Sequence, residues 1–101
     1  MRTGRKTVSD SMVTYLKNDS NPIAPKFGFV VSKTVGSAVQ RNLVKRRLRS
    51  AIRDRISRFE NGQTLVIRAL PSISELSWDE LGSQLDWCLN QTATKPDSLT
   101  R

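Results

Sequence analysis

Asn42, Arg46, Arg49 and Arg53 are spaced four, three and four residues apart. On an α-helix, at about 100° per residue, that spacing gathers them within an arc of about 60°, with Lys45 at its border. Guanidinium groups held in a row are no use for proton abstraction. What they offer is a set of fixed positive donors for phosphate oxygens. The surrounding stretch is built the same way: residues 41–58 contain eight basic side chains and one acid, Asp54. The chain has no histidine, which removes the commonest general base and the commonest metal ligand. It also shows no acidic cluster, so it is poorly equipped to be a nuclease on its own.

Four readings of this helix compete. A charged helix face is most often simply solvated, but almost no acids are available here, so repulsion goes uncompensated until an anion binds. A membrane-surface helix would need its apolar stripe for lipid, and the core needs that stripe. A DNA-reading helix wants short polar side chains in the groove, and Asn42 alone is thin support. Structured RNA suits a rigid array of guanidiniums over phosphates. The whole chain points the same way, with 101 residues, a net charge of +8 and a pI near 10.6. No apolar run is long enough to span a bilayer, and no apolar segment follows the basic N-terminus as a secretory signal requires. The single cysteine, Cys88, cannot form an internal disulfide and reads as a small core residue. These features predict a cytoplasmic protein with no membrane partner and no DNA partner.

The helix must be positioned by the rest of the chain. Ser37 and Gln40 form a capping box, and Gly36 lets the chain turn into it. Val44, Leu48, Ala51, Ile52, Ile56 and Phe59 make one apolar stripe, so the helix is predicted to run to about Phe59, with Asn61-Gly62 as a left-handed stop. Arg41 and Arg55 fall toward that stripe, and Arg41 is expected to leave the core edge for the basic face. Residues 1–6 read as a loose arm. Residues 7–17 read as strand, broken into two by Asp10-Ser11, and residues 18–25 as a turn-rich loop. The apolar run 26–32 suggests a central strand, and residues 64–69 a further strand parallel to it. Ser77 and Glu80 form a second capping box, with Leu76 and Leu81 as hydrophobic staple. Trp78, Leu81, Leu85, Cys88 and Leu89 share one face of a helix ending near Asn90. The result is one α+β domain over residues 1–91, an α–β sandwich with two helices on one face of a small, mostly antiparallel sheet. Residues 92–101 read as a flexible polar tail. The general rule favours a right-handed strand–helix–strand crossover.

The run Lys33-x-x-Gly36-x-Ala38-Val39-x-Arg41-Asn42-x-x-Lys45-Arg46-x-x-Arg49 resembles the signature of the bacterial ribonuclease P protein subunit. The segments 27–33, 66–71 and 76–81 resemble that family's flanking strand, later strand and last helix, so the resemblance covers roughly residues 4–90. It implies a left-handed crossover around the basic helix. It also implies a protein subunit of the ribonucleoprotein endoribonuclease that removes the 5′ leader from precursor tRNA. The catalytic RNA would hold the active site and its magnesium. By position, the resemblance assigns Arg41, Asn42, Lys45, Arg46 and Arg49 to the catalytic RNA, and Lys33 and Gly36 to the strand-to-helix turn, where backbone N–H groups suit an anion. Arg53 extends the same face. Tyr15, with Phe29 and Ser32, is assigned to a sheet cleft for the single-stranded leader, where an aromatic ring can stack a base of any sequence. For Tyr15 the plain alternative is a half-buried strand residue, and for Phe29 core burial is the better expectation. Arg68 fits either an RNA contact or a sheet-face salt bridge. The family also implies a basic arm and a short aromatic-bearing helix ahead of the first strand. This chain opens almost directly after that point, which predicts a less covered sheet, lower stability and weaker leader binding than a longer form would have. The rival of a different class is a non-catalytic RNA-binding protein, such as a small ribosomal or RNA-chaperone component.

Overall fold

The computed structural model describes residues 5–18 and 23–93, with side chains to residue 91. Four strands and two long helices follow one another as β1 (Arg5–Val8), β2 (Met12–Asn18), β3 (Lys26–Val30), α1 (Ala38–Arg53), β4 (Gln63–Ala69) and α2 (Trp78–Ala93), with short 3-10 turns at Lys33–Val35, Ile56–Arg58 and Pro71–Glu75. The strands make one mixed sheet in the order β1-β2-β4-β3. β1–β2 and β2–β4 are antiparallel, and β3–β4 is parallel with α1 as the crossover.

The break within residues 7–17 has a local cause. Ser9 stops the strand and starts a turn: its amide donates to the Met12 carbonyl at 2.9 Å, and its hydroxyl accepts from the amides of Ser11 and Met12. The period then restarts one strand later. Arg5 and Lys6, expected in a loose arm, belong to β1 because they pair with Leu16 and Tyr15.

One face of the sheet is the core. Met12 and Leu16 of β2 and Leu65, Ile67 and Ala69 of β4 meet Val44, Leu48, Ala51 and Ile52 of α1 and Leu81, Leu85, Cys88 and Leu89 of α2. Burying side chains of this size stabilises by roughly 1.5–3 kcal/mol each, offset by the entropy of ordering the chain. Burial drives the Cys88 thiol pKa up, so it stays protonated and inert, while Ser9 and Thr14 oppose part of that shift by hydrogen bonding.

Several expectations fail here for tertiary reasons. β3 is an edge strand, paired among the described residues only with β4, because β2 takes the other side of β4. Its apolar residues reflect a helix lying over one face, not neighbours on both sides. α1 ends at Arg53, not Phe59, and so Ile56 is 50% exposed, out of phase with the stripe. Phe59 still reaches the core through an edge-on contact with Phe27, with ring centroids 5.0 Å apart. Gly62 does take a positive φ of 87°, but in the turn that opens β4. Trp78, expected on the buried face of α2, is 46% exposed. α2 runs on to Ala93, so residues 92–93 are helical, and the rest of the expected tail lies outside the described residues.

Candidate nucleic-acid interface

The start of α1 is fixed by the predicted box. The Gln40 amide donates to the Ser37 hydroxyl at 3.3 Å, and the Ser37 amide donates to the Gln40 side-chain oxygen at 3.0 Å. Gly36 has φ +153°, and a Cβ there would strike the Gln40 side chain that closes the box. Two donors at this helix start are therefore already committed, which weakens the expected anion site on its backbone. Lys33 is exposed in the preceding 3-10 turn.

The basic residues of 41–58 divide into two sets. Arg41 turns back instead of joining the basic face, its Nε donating to the Gly36 carbonyl at 3.3 Å. Arg47 donates to the Leu76 carbonyl at 3.3 Å. Arg55 caps the end of α1 by donating to the Ala51 carbonyl at 2.9 Å. It also grips Asp86 of α2 in a forked pair at 2.6 and 3.2 Å. Arg58 adds bonds to Asp86 at 3.0 Å and to Asn90 at 2.7 Å. These hydrogen bonds, Arg55 first, hold the Asp86 carboxyl below the usual carboxylate range against the opposing effect of burial. The same bond raises the Arg55 pKa.

The second set is Lys45, Arg46, Arg49 and Arg53. None of them is in an ion pair among the described residues. Lys45, Arg46 and Arg49 line a shallow concavity of about 510 Å³ with Asn42 and Val39. Arg53 is exposed one turn further along the face. The structure thus brings the predicted array together, less Arg41.

The opposite, open face of the sheet is a second candidate surface. Strand register places Lys6, Tyr15, Val66 and Gly28 in one row across all four strands. Lys17, Thr64 and Lys26 form the next row, and Val8, Val13, Arg68 and Val30 the row on the other side. Tyr15 is 37% exposed, with the Lys6 ammonium 5.9 Å from its ring centroid. Lys6, Lys17, Lys26 and Arg68 are exposed, and the four strands contain no acid. Arg68 is in no ion pair among the described residues, which removes its sheet-face salt bridge.

The three residues assigned to the leader cleft do not converge. Tyr15 points to the open face. Phe29 pairs with Ile67 and points to the helix side, half-buried against the core. Side chains alternate across a strand, and the pairing of Gly28 with Val66 fixes Phe29 on the other side from Tyr15. Ser32 lies beyond the end of β3, its hydroxyl 2.7 Å from that of Thr34. The open-face cations Lys6, Lys17 and Lys26 escaped sequence reading because each looks like an ordinary surface lysine until register groups them. α2 carries a contrasting surface: a groove of about 610 Å³ lined by Asp10, Asp79, Glu80 and Trp87 among others, with Trp87 49% exposed.

Among the described residues no group of three or more His, Cys, Asp or Glu could hold a metal ion, and no helix is long and apolar enough to cross a membrane.

A two-layer α+β fold with an unneutralised arginine face and an open cationic sheet defines a small protein built to meet a polyanion. Residues 1–93 match the family model described as Ribonuclease P. The ribonuclease P protein component of Pseudarthrobacter chlorophenolicus is 40% identical over 95 residues, covering 94% of this chain and 67% of that protein. That of Streptomyces griseus is 38% identical over 99 residues, covering 90% and 80%. Among solved structures, the Staphylococcus aureus RNase P protein superposes with a TM-score of 0.79 at 23% identity, covering 87% of this chain and 80% of that one. The Thermotoga maritima RNase P protein, solved with 1-(4-fluorophenyl)-2-thiourea, gives 0.74 at 21%, covering 91% and 86%. The chain belongs to the ribonuclease P protein family: it is the protein component of an endoribonuclease holoenzyme that processes tRNA. The rival reading as a ribosomal or chaperone protein is not favoured.

Proposed function

We propose that the face of α1 formed by Asn42, Lys45, Arg46, Arg49 and Arg53 binds the catalytic RNA subunit, and that the open sheet face around Tyr15 binds the 5′ leader of precursor tRNA. The observation that carries this reading is the division of the arginines. Those that stabilise the fold are bonded to an acid or a backbone carbonyl, and those that share one outward face have no acid partner among the described residues. Uncompensated cations are costly to a fold unless an anion neutralises them. Phosphates do so with release of counterions. On the sheet, Tyr15 offers a ring for one base, and Lys6, Lys17, Lys26 and Arg68 surround it with charge for the backbone. Arg41 acts from beneath by tying the first turn of α1 to Gly36, and Lys33 supplies a further exposed cation beside it. Phe29 and Ser32 have no place in the leader site.

The family's reaction also calls for magnesium, and among the described residues no group of three or more acids converges to hold it. We assign that ion to the RNA and route no step through the protein. The setting of this reading is the cytoplasm. The test is precursor tRNA cleavage by the catalytic RNA at low magnesium, with and without this chain, on substrates with a long leader and with none. Stimulation greater for the long leader is expected. Equal stimulation of both substrates refutes the leader site, and no stimulation refutes the whole reading.

A further inference from the structure

We propose that Phe29 is a positioning residue for Arg49, holding its guanidinium ready for a phosphate of the catalytic RNA. The proposal rests on the reading of α1 as the RNA face and adds a residue that touches no RNA. Phe29 sits on the edge strand β3 and faces the helices, half-buried. The Arg49 Cζ lies 6.0 Å from the centroid of its ring. Of the four cations on the outward face, Arg49 alone has such a contact among the described residues.

The chemistry favours this arrangement for an arginine. A guanidinium can rest its flat face near an aromatic ring while its N–H donors, which lie in the plane, stay available at the edge. A free arginine side chain has many rotamers and must lose them when it binds. One already held over a ring loses fewer, so the ring strengthens binding by preorganisation. The strand itself does not depend on Phe29 for its anchor. Phe27, two residues earlier on the same face, is fixed edge-on against Phe59. A leucine at position 29 can therefore keep the apolar contact with the core and remove only the ring.

The experiment measures binding of the full chain to transcribed ribonuclease P RNA across a range of salt for wild type, Arg49→Ala, Phe29→Leu, Phe29→Tyr and the Phe29→Leu/Arg49→Ala pair. Arg49→Ala should flatten the slope of log affinity against log salt by about one unit. Phe29→Leu should weaken binding by about threefold and flatten the slope in the same direction. It should have no further effect once Arg49 is gone. Phe29→Tyr keeps a ring and should bind as wild type does. An Arg49→Ala effect with none from Phe29→Leu overturns the positioning role and leaves the RNA face standing, and additive losses overturn it equally. No effect of Arg49→Ala removes the RNA face at this position and the proposal with it. Should Phe29→Leu fail to fold, proton NMR of the wild-type chain decides. Arg49 Hδ resonances shifted upfield by the ring support the contact, and unshifted resonances overturn it.

Discussion

α1 and α2 are each 16 residues long, each starts with a Ser-based capping box, and each buries one apolar stripe against the same sheet. Their other faces are opposites. α1 carries six basic residues and no acid, and α2 carries three acids and no basic residue. Folding explains the stripes but places no demand on the sign of the outer faces, and the RNA face proposed for α1 accounts for the difference. The only ion pairs among the described residues join Asp86 to Arg55 and Arg58, past the end of α1. The middle of the basic face has no acid partner among the described residues.

The sharpest way to break this contrast is to remove charge from each helix in turn. Arg46→Ala with Arg49→Ala should weaken binding to the catalytic RNA by roughly 30–100-fold at low salt and flatten the salt slope by about two units. Asp79→Asn with Glu80→Gln should leave both within experimental error. Comparable losses from the two pairs, read by filter binding, would dissolve the distinction.

Replacing Tyr15 by Ala should slow cleavage of long-leader substrate by about tenfold, since stacking one base contributes about 1–3 kcal/mol. A leaderless substrate should show no change, which single-turnover kinetics would reveal.

Next in size is the joint between the helices. Asp86→Asn leaves the partly buried Arg55 guanidinium with a weaker partner and should lower stability by about 1 kcal/mol, with the RNA salt slope unchanged. Because the folded Asp86 pKa is depressed, its contribution is fully present above the ordinary carboxylate pKa of about 4 and disappears as pH falls through the lower folded value. Thermal midpoints of wild type and Asp86→Asn should therefore differ at pH 6 and converge on acidification. A gap that widens toward low pH would contradict the assignment.

The smallest difference concerns the caps. Ser37→Ala and Ser77→Ala should each cost about 1 kcal/mol of stability, yet only the first should affect RNA binding, by loosening the start of the basic helix. Urea titration and binding measured on the same samples separate the two effects.

Much of this was legible without coordinates because it is encoded within a few residues. Both capping boxes depend on contacts three positions apart, and Val44, Leu48, Ala51 and Ile52 depend on one helical period. The same period assembled Asn42, Arg46, Arg49 and Arg53 on one face, and Tyr15 was assigned to the leader through a family resemblance; the structure places it on the open side of the sheet. What lay beyond reach involved partners distant in sequence. Arg55 finds Asp86 across 31 positions and Arg47 finds Leu76 across 29, so nothing local could separate those arginines from Arg46 and Arg49.

The sequence by itself determined a basic helix, its cap, its buried stripe and the family it belongs to, because helical geometry converts spacing directly into direction. Only the tertiary structure decided that β3 lies at the edge, that Tyr15 and Phe29 look to opposite sides of the sheet, and which arginines stay unpaired. Those outcomes follow from strand order and register. These are set by which distant segments bury each other's apolar faces, and a shift of one residue exchanges the two sides of a strand.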